Sequence, residues 1–245
     1  MRKRIAVIVT AGSIFALSSS APAQAAPIEI RHIPECTELV PAAISPDNTP
    51  VTLSTRVLLD GVSVERGRHV FDVASNSYAP LGITLAPSFQ TVSFSGTDAQ
   101  GLIDQSKALF GGSRPAGTDL VYTLTNKDIQ ADGQTAVAGL ADCIGGVAFA
   151  DSAFGVGENF TADEAAVLGI PVARNLTAKV AAHELGHLMG GHHHYANCIE
   201  GLLSEFPGEL SPCTLMINAV DLASINFATV NGLVVKGHAQ LYAAP

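Results

Sequence analysis

The sequence predicts an α/β protein with a mixed, mostly parallel twisted sheet, and three observations predict it. Apolar residues at period 2 and at helical spacing succeed one another in the order β-α-β-α-β, which favours parallel strands joined by right-handed crossovers. Of 245 residues, 47% are apolar and only 14% charged, enough for a sizeable core and too few charges for a disordered chain or a coiled coil. No internal repeat or low-complexity tract interrupts the pattern.

Taken in order, the chain opens on a segment that reads as an address. Arg2, Lys3 and Arg4 precede an apolar run from Ile5 to Leu17, and Ala23-Gln24-Ala25 offers the small residues a signal peptidase reads, so residues 1–25 are expected to be a signal peptide. No later stretch reaches the roughly 20 unbroken apolar residues of a membrane span. The mature protein is therefore expected to be exported, extracellular or periplasmic, with no membrane partner after signal removal. Residues 26–50 hold Pro27, Pro34, Pro41, Pro46 and Pro50 without any period and read as an extended lead-in. The domain proper is expected over 51–245.

From Val51, the alternation of Val51, Leu53, Val57 and Leu59 with Thr52, Ser54 and Arg56 predicts a strand ending near Asp60-Gly61. Val70, Phe71, Ala74 and Tyr78 share one helical face. A β-rich stretch from Ile83 to Phe94 follows, with Pro87 expected to break it. Leu102, Ile103, Leu109 and Phe110 mark a second helix, and Leu120 to Leu124 a third strand. The Gly- and Ala-rich stretch from Gly145 to Gly157 reads as a loop and a weak edge strand. Thirteen Lys+Arg against 22 Asp+Glu give a formal charge of -9, which repels phosphate backbones and disfavours nucleic acid as a partner.

The clearest helix is predicted over residues 173–190, with Leu176, Val180, His183 and His187 along one face. His183-Glu184-Leu185-Gly186-His187 is an H-E-x-x-H arrangement, in which imidazoles one turn apart both reach a zinc ion. Glu184 between them suits a general base that takes a proton from the attacking water. Gly190 and His193 extend the pattern to H-E-x-x-H-x-x-G-x-x-H. A shuffled chain of this composition shows the short pattern roughly once in a hundred tries and the long one roughly a few times in 100,000. Gly190, free of Cβ, ends the helix in a left-handed conformation so that the chain returns a third imidazole to the metal. Three neutral ligands with one position open describe a catalytic zinc site with one ion, since a closed structural site more often recruits thiolates.

These residues resemble the metzincin metallopeptidases, and a later Met-turn candidate, Cys213-Thr214-Leu215-Met216, adds to the resemblance. The C-T-x-M turn and its cysteines are most similar to the reprolysin (adamalysin) group. His194 stands where reprolysins usually carry Asp, and no Tyr closely follows Met216, which argues against the astacin and serralysin types. The resemblance implies a zincin-like fold over residues 51–245, with an upper subdomain at 51–193 carrying the sheet and active-site helix and a small, irregular and helical lower subdomain at 194–245. It implies a zinc endopeptidase acting on protein or peptide substrates that lie extended along an edge strand, for which Val147 to Gly157 is the candidate. It also implies that Met216 packs beneath the ligand imidazoles without binding the metal.

Other readings compete at several of these positions. His192, His193 and His194 are consecutive, and helix geometry and family spacing select His193, leaving His192 and His194 facing solvent or the surroundings. A third ligand from Glu205 or Glu209 is disfavoured because Pro207-Gly208 between them breaks the helix it needs. A non-catalytic, secreted zinc-binding or metal-scavenging protein is the alternative of a different class; it has no need of Glu184. His32, His69 and His238 are isolated and receive no role. Export makes two disulfides the default for Cys36, Cys143, Cys198 and Cys213, with three pairings open. Cys36 is expected in a plain disulfide, with Cys143 as one partner, in preference to a thiolate that keeps the zinc latent. Cys198, five residues after His193, and Cys213, three before Met216, are expected to be joined, the alternative being that Cys198 pairs elsewhere.

Overall fold

The strand β1, Val51–Asp60, is the axis of the sheet: it pairs in parallel with β2, Ile83–Val92, along its whole length and with β3, Leu120–Thr125, from Thr55 to Asp60. The computed structural model describes residue 36 and residues 46–131, 133, 137–160, 164–167, 170–173, 175–202, 213–218 and 223–243. The expected signal peptide at 1–25 and most of the lead-in at 26–50 lie outside the described residues. The five-stranded sheet runs β2-β1-β3-β5-β4, where β5 is Phe154–Glu158 and β4 is Gly139–Ala141. All neighbours are parallel except β4, which runs antiparallel to β5 at the edge. The fold is the mixed, mostly parallel α/β arrangement expected.

The helices sort to the two faces by the direction of their crossovers. The helix α1, Val64–Tyr78, leads outward from β1 to β2, whereas α2, Ala99–Leu109, leads back across β1 to β3; crossovers of one hand in opposite directions place their helices on opposite faces. Side-chain alternation in β3 agrees. Tyr122 packs edge-on against Phe71 of α1 at 5.9 Å, while the next residue, Thr123, meets Ser106 of α2 with hydroxyls 2.7 Å apart. Each helix starts on a side-chain cap: Arg66 N–H donates to Ser63 Oγ, and Gly101 N–H to Asp98 Oδ2. Val70, Phe71, Ala74 and Tyr78 bury one stripe of α1, and Leu102 and Ile103 bury α2.

Two local expectations need correction. Pro87 does not break the second strand, since β2 is the sheet's outer strand and its free side needs no N–H. The segment read as an edge strand, Val147 to Gly157, is not one: Val147 lies in a buried short turn and β5 is held between β3 and β4. The pattern of residues 154–158 reads alike for an inner and an outer strand, and the true edge, β4, is too short to show a period. Beyond β5, Glu164–Val167 (β6) and Ile170–Ala173 (β7) form a two-stranded antiparallel pair; the helix predicted from 173 starts only at Leu176.

Candidate active site

The helix α3, Leu176–Leu188, is buried along its whole length. Asn175 precedes it at φ +50, a left-handed conformation that Asn tolerates better than most residues. Ala178, Ala181 and Ala182 let α3 lie close to its neighbours, and the Tyr78 hydroxyl of α1 donates to the Ala182 carbonyl at 2.5 Å. Gly190 stops the helix at φ +84. Its N–H donates to the His187 carbonyl at 2.8 Å and the Gly191 N–H to the Gly186 carbonyl at 2.8 Å, the paired bonds that close a helix on a left-handed residue. His192 is then extended, and a short turn over His193–Tyr195 brings His193 back over α3.

The Nε2 atoms of His183, His187 and His193 converge, at 2.9 Å between 183 and 187, 3.0 Å between 187 and 193, and 3.1 Å between 183 and 193. Among the described residues, these three form a group able to hold a metal. The tautomers follow from the other ring nitrogens. His183 Nδ1 donates to the Leu215 carbonyl at 2.8 Å and His187 Nδ1 to the Gly191 carbonyl at 2.7 Å; a carbonyl only accepts, so each Nδ1 carries the proton. The facing Nε2 atoms of these neutral rings then present lone pairs to one another, which repel unless a cation lies between. Burial, followed by the neighbouring His193, lowers His183 to about 3; burial, followed by His183 and His193, holds His187 well below the ordinary imidazole value. A tetrahedral zinc ion with bonds of about 2.0–2.1 Å spaces its nitrogens about 3.3 Å apart, so the donor set fits zinc.

Glu184 is fully buried, and neither carboxylate oxygen has a partner at hydrogen-bonding geometry among the described residues. Burial raises its carboxyl well above the usual range, and the Ala141 backbone pulls weakly the other way. The side chain lies against the edge strand: a Cβ on Gly139 would fall 2.6 Å from Oε1 and 2.8 Å from Val180 Cγ1, so only glycine at this point of β4 leaves room for it. An orphaned buried carboxylate is costly without a compensating cation or donor.

Met216 is also fully buried. A Cβ on Gly186 would lie 2.9 Å from its Sδ, and one on Gly191 3.3 Å from its Cε, so the methionine packs against the same turn of chain that carries the histidines. Cys198, the first residue of the short helix α4, Cys198–Leu202, is joined to Cys213, and Cys36 to Cys143. Thr214 N–H donates to the Asn197 carbonyl, adding a backbone tie beside the first bridge. His192 and His194 face each other with ring centroids 6.0 Å apart, outside the triad. Glu205 and Glu209 lie outside the described residues. Sequence reasoning expected a helical lower subdomain without placing its helix α5, Thr229–Tyr242, and gave His238 no role; the His238 ring occupies the place a Cβ on Gly190 would take, 2.5 Å from Cε1. Sequence spacing carried no sign of that contact, because it joins residues 48 positions apart.

Comparison with known proteins agrees with this geometry. The reprolysin-like model of metallopeptidase family M12B matches residues 81–194, a span that contains the three histidines, Glu184 and Gly190. No curated protein matches the chain in sequence. Among solved structures, archaemetzincin from Methanopyrus kandleri is 17% identical, with 82% of this chain and 99% of that chain covered and a TM-score of 0.50. A zinc-dependent peptidase from Methanocorpusculum labreanum is 16% identical over 74% of this chain and 100% of that chain, with a TM-score of 0.46. Archaemetzincin from Archaeoglobus fulgidus, complexed with malonate, is 15% identical over 73% and 98%, with a TM-score of 0.43. This protein carries the complete H-E-x-x-H-x-x-G-x-x-H pattern within the matched stretch. Its sequence is similar to the reprolysin-like model, and its fold to that of the Methanopyrus archaemetzincin.

Proposed function

We propose that the protein is a secreted endopeptidase in which His183, His187 and His193 hold one zinc ion and Glu184 moves the proton during peptide hydrolysis. The observation that carries this reading is the meeting of three imidazole Nε2 atoms, two of them from a helix on which the residue after the first histidine, Glu184, is a buried carboxylate without a hydrogen-bond partner among the described residues. Zinc held there supplies a Lewis acid for the scissile carbonyl and for the attacking water. Glu184 accepts the proton of that water and delivers it to the leaving amine. The Leu215 and Gly191 carbonyls fix the orientation of two ligand rings, and Met216 supports the turn beneath them. A peptide substrate lies extended along the outer side of β4, pairing with its backbone, in the cleft between the upper subdomain at 51–193 and the lower at 194–245. Export is supported by the signal-like first 25 residues and by two disulfides, which persist in oxidising compartments.

A peptide-library digest by the mature protein, with and without a zinc chelator, tests this reading. Internal cleavage that stops on chelation and returns with zinc is expected. Zinc binding without any hydrolysis would instead identify a metal-binding protein, and cleavage confined to chain ends would exclude an endopeptidase.

A further inference from the structure

Residues 192–194 are all histidine, so side-chain chemistry alone does not choose which imidazole joins His183 and His187. We propose that Asn231 makes the choice, as a positioning residue that fixes the backbone of His192 and thereby the register of His193. The inference rests on the zinc site proposed above.

Asn231 is fully buried on α5. Its Oδ1 accepts from the His192 N–H at 2.9 Å, and its Nδ2 donates to the His192 carbonyl at 3.0 Å. A carboxamide carries one acceptor and one donor group side by side, so it pairs with an extended residue as a neighbouring strand does. His192 has that extended backbone, φ -123 and ψ 145. The residues before it are tied to α3: Gly190 and Gly191 donate to carbonyls of the helix, and the Gly191 carbonyl accepts from His187 Nδ1–H. Asn231 supplies the matching tie from the other side. A slip of one residue, which would offer His192 or His194 in place of His193, has to break both hydrogen bonds of the Asn231 carboxamide together and leave buried polar groups unpaired.

The clamp sits on an anchored helix. Glu200 Oε2, two residues past Cys198, accepts from the Thr229 N–H at 2.7 Å at the start of α5. Further along, Lys236 Nζ donates to the carbonyls of Thr49 at 2.5 Å and Gly82 at 3.3 Å, just before the starts of β1 and β2. His238 fills the space beside Gly190. Asn231 therefore refers the third ligand to the position of the sheet, whereas the first two ligands are set by α3 itself.

The experiment is zinc affinity by chelator competition on the mature, disulfide-intact protein, for N231A and N231D, each alone and combined with H193A, H192A or H194A. N231A alone is expected to weaken zinc binding by about 10- to 100-fold, the usual effect of removing a group that orients a ligand. In the wild-type background H193A is expected to lose zinc while H192A and H194A keep it. In the N231A background the penalty of H193A should shrink by about tenfold, because a neighbouring histidine now reaches the metal, and H192A or H194A should begin to cost affinity. A purely structural role for Asn231 would lower stability and leave the two effects independent. N231D keeps the acceptor for the His192 N–H and should fall between wild type and N231A; if N231A does not fold, the N231D pairings decide by the same criterion. Independent effects at 231 and 193, or unchanged affinity in both Asn231 variants, overturn the inference while the zinc site stands. Full zinc retention by H193A in the wild-type background overturns the site and the inference together.

Discussion

Gly190 carries two constraints at once. Its φ of +84 disfavours any side chain, and the ring of His238 fills the place where a Cβ would stand. Gly190→Ala is therefore expected to destabilise the protein by about 1–3 kcal/mol from backbone strain, with the ring contact adding to it, and to weaken zinc binding because His193 follows three residues on. Denaturant unfolding and chelator competition on the same variant check both; unchanged values would remove the helix stop from the account. The requirement for glycine was legible in the sequence, because the spacing from His187 to His193 marks a turn that only a residue without Cβ takes easily. The ring of His238 was not legible, nor was the Asn231 clamp, since both reach the site from a helix about 40 residues later and leave no local pattern.

The elements divide according to how local their signals are. Helix α3 was legible because its apolar period and its metal pattern lie within one stretch of sequence, and β1 because more and less buried positions alternate through its first seven residues. The three residues of β4 allow no periodicity, and its place at the edge depends on pairing with β5, which the sequence does not encode locally. Helix α5 was hidden for another reason: its buried side includes Asn231, Lys236 and His238, whose polar atoms are bonded to backbone carbonyls or amides, so an apolar stripe is absent where the helix is most buried. The Cys198–Cys213 bridge ties the chain after the third ligand to the Met216 turn. Closing a loop of about 15 residues contributes roughly 3 kcal/mol on the chain-entropy model. Reduction is expected to loosen the third ligand and the Met216 turn before the sheet, so hydrolysis should fall at reductant levels that leave far-UV circular dichroism unchanged. Parallel loss of both signals would show that the bridge supports the whole fold.

On the scale of the whole molecule, the sheet and its helices hold a site whose buried groups oppose one another when the metal is removed. His183 and His187 have lowered values in the metal-free protein, and so has His238 by burial. Below pH about 6.5 the unfolded chain binds protons at these rings that the folded chain resists, so stability falls as pH drops from 6.5 toward 3. Glu184 acts with the opposite sign: its raised value means that the folded carboxyl binds the proton first, and stability is lost as pH rises above about 4.5. Three rings stand against the two carboxyls that burial raises, Glu184 and Glu158, so the unfolding temperature in chelator should decline from pH 6.5 to pH 5; a flat or rising trend would contradict the burial of neutral imidazoles. The central claim, that Glu184 performs proton transfer at a zinc site held by His183, His187 and His193, is tested most directly by Glu184→Gln, with zinc content and peptide hydrolysis measured on one sample. The account predicts zinc retained at one ion per chain and hydrolysis reduced by about 10²- to 10⁴-fold, since the ligands survive and the proton acceptor does not. Hydrolysis at the wild-type rate by the zinc-loaded variant would contradict it.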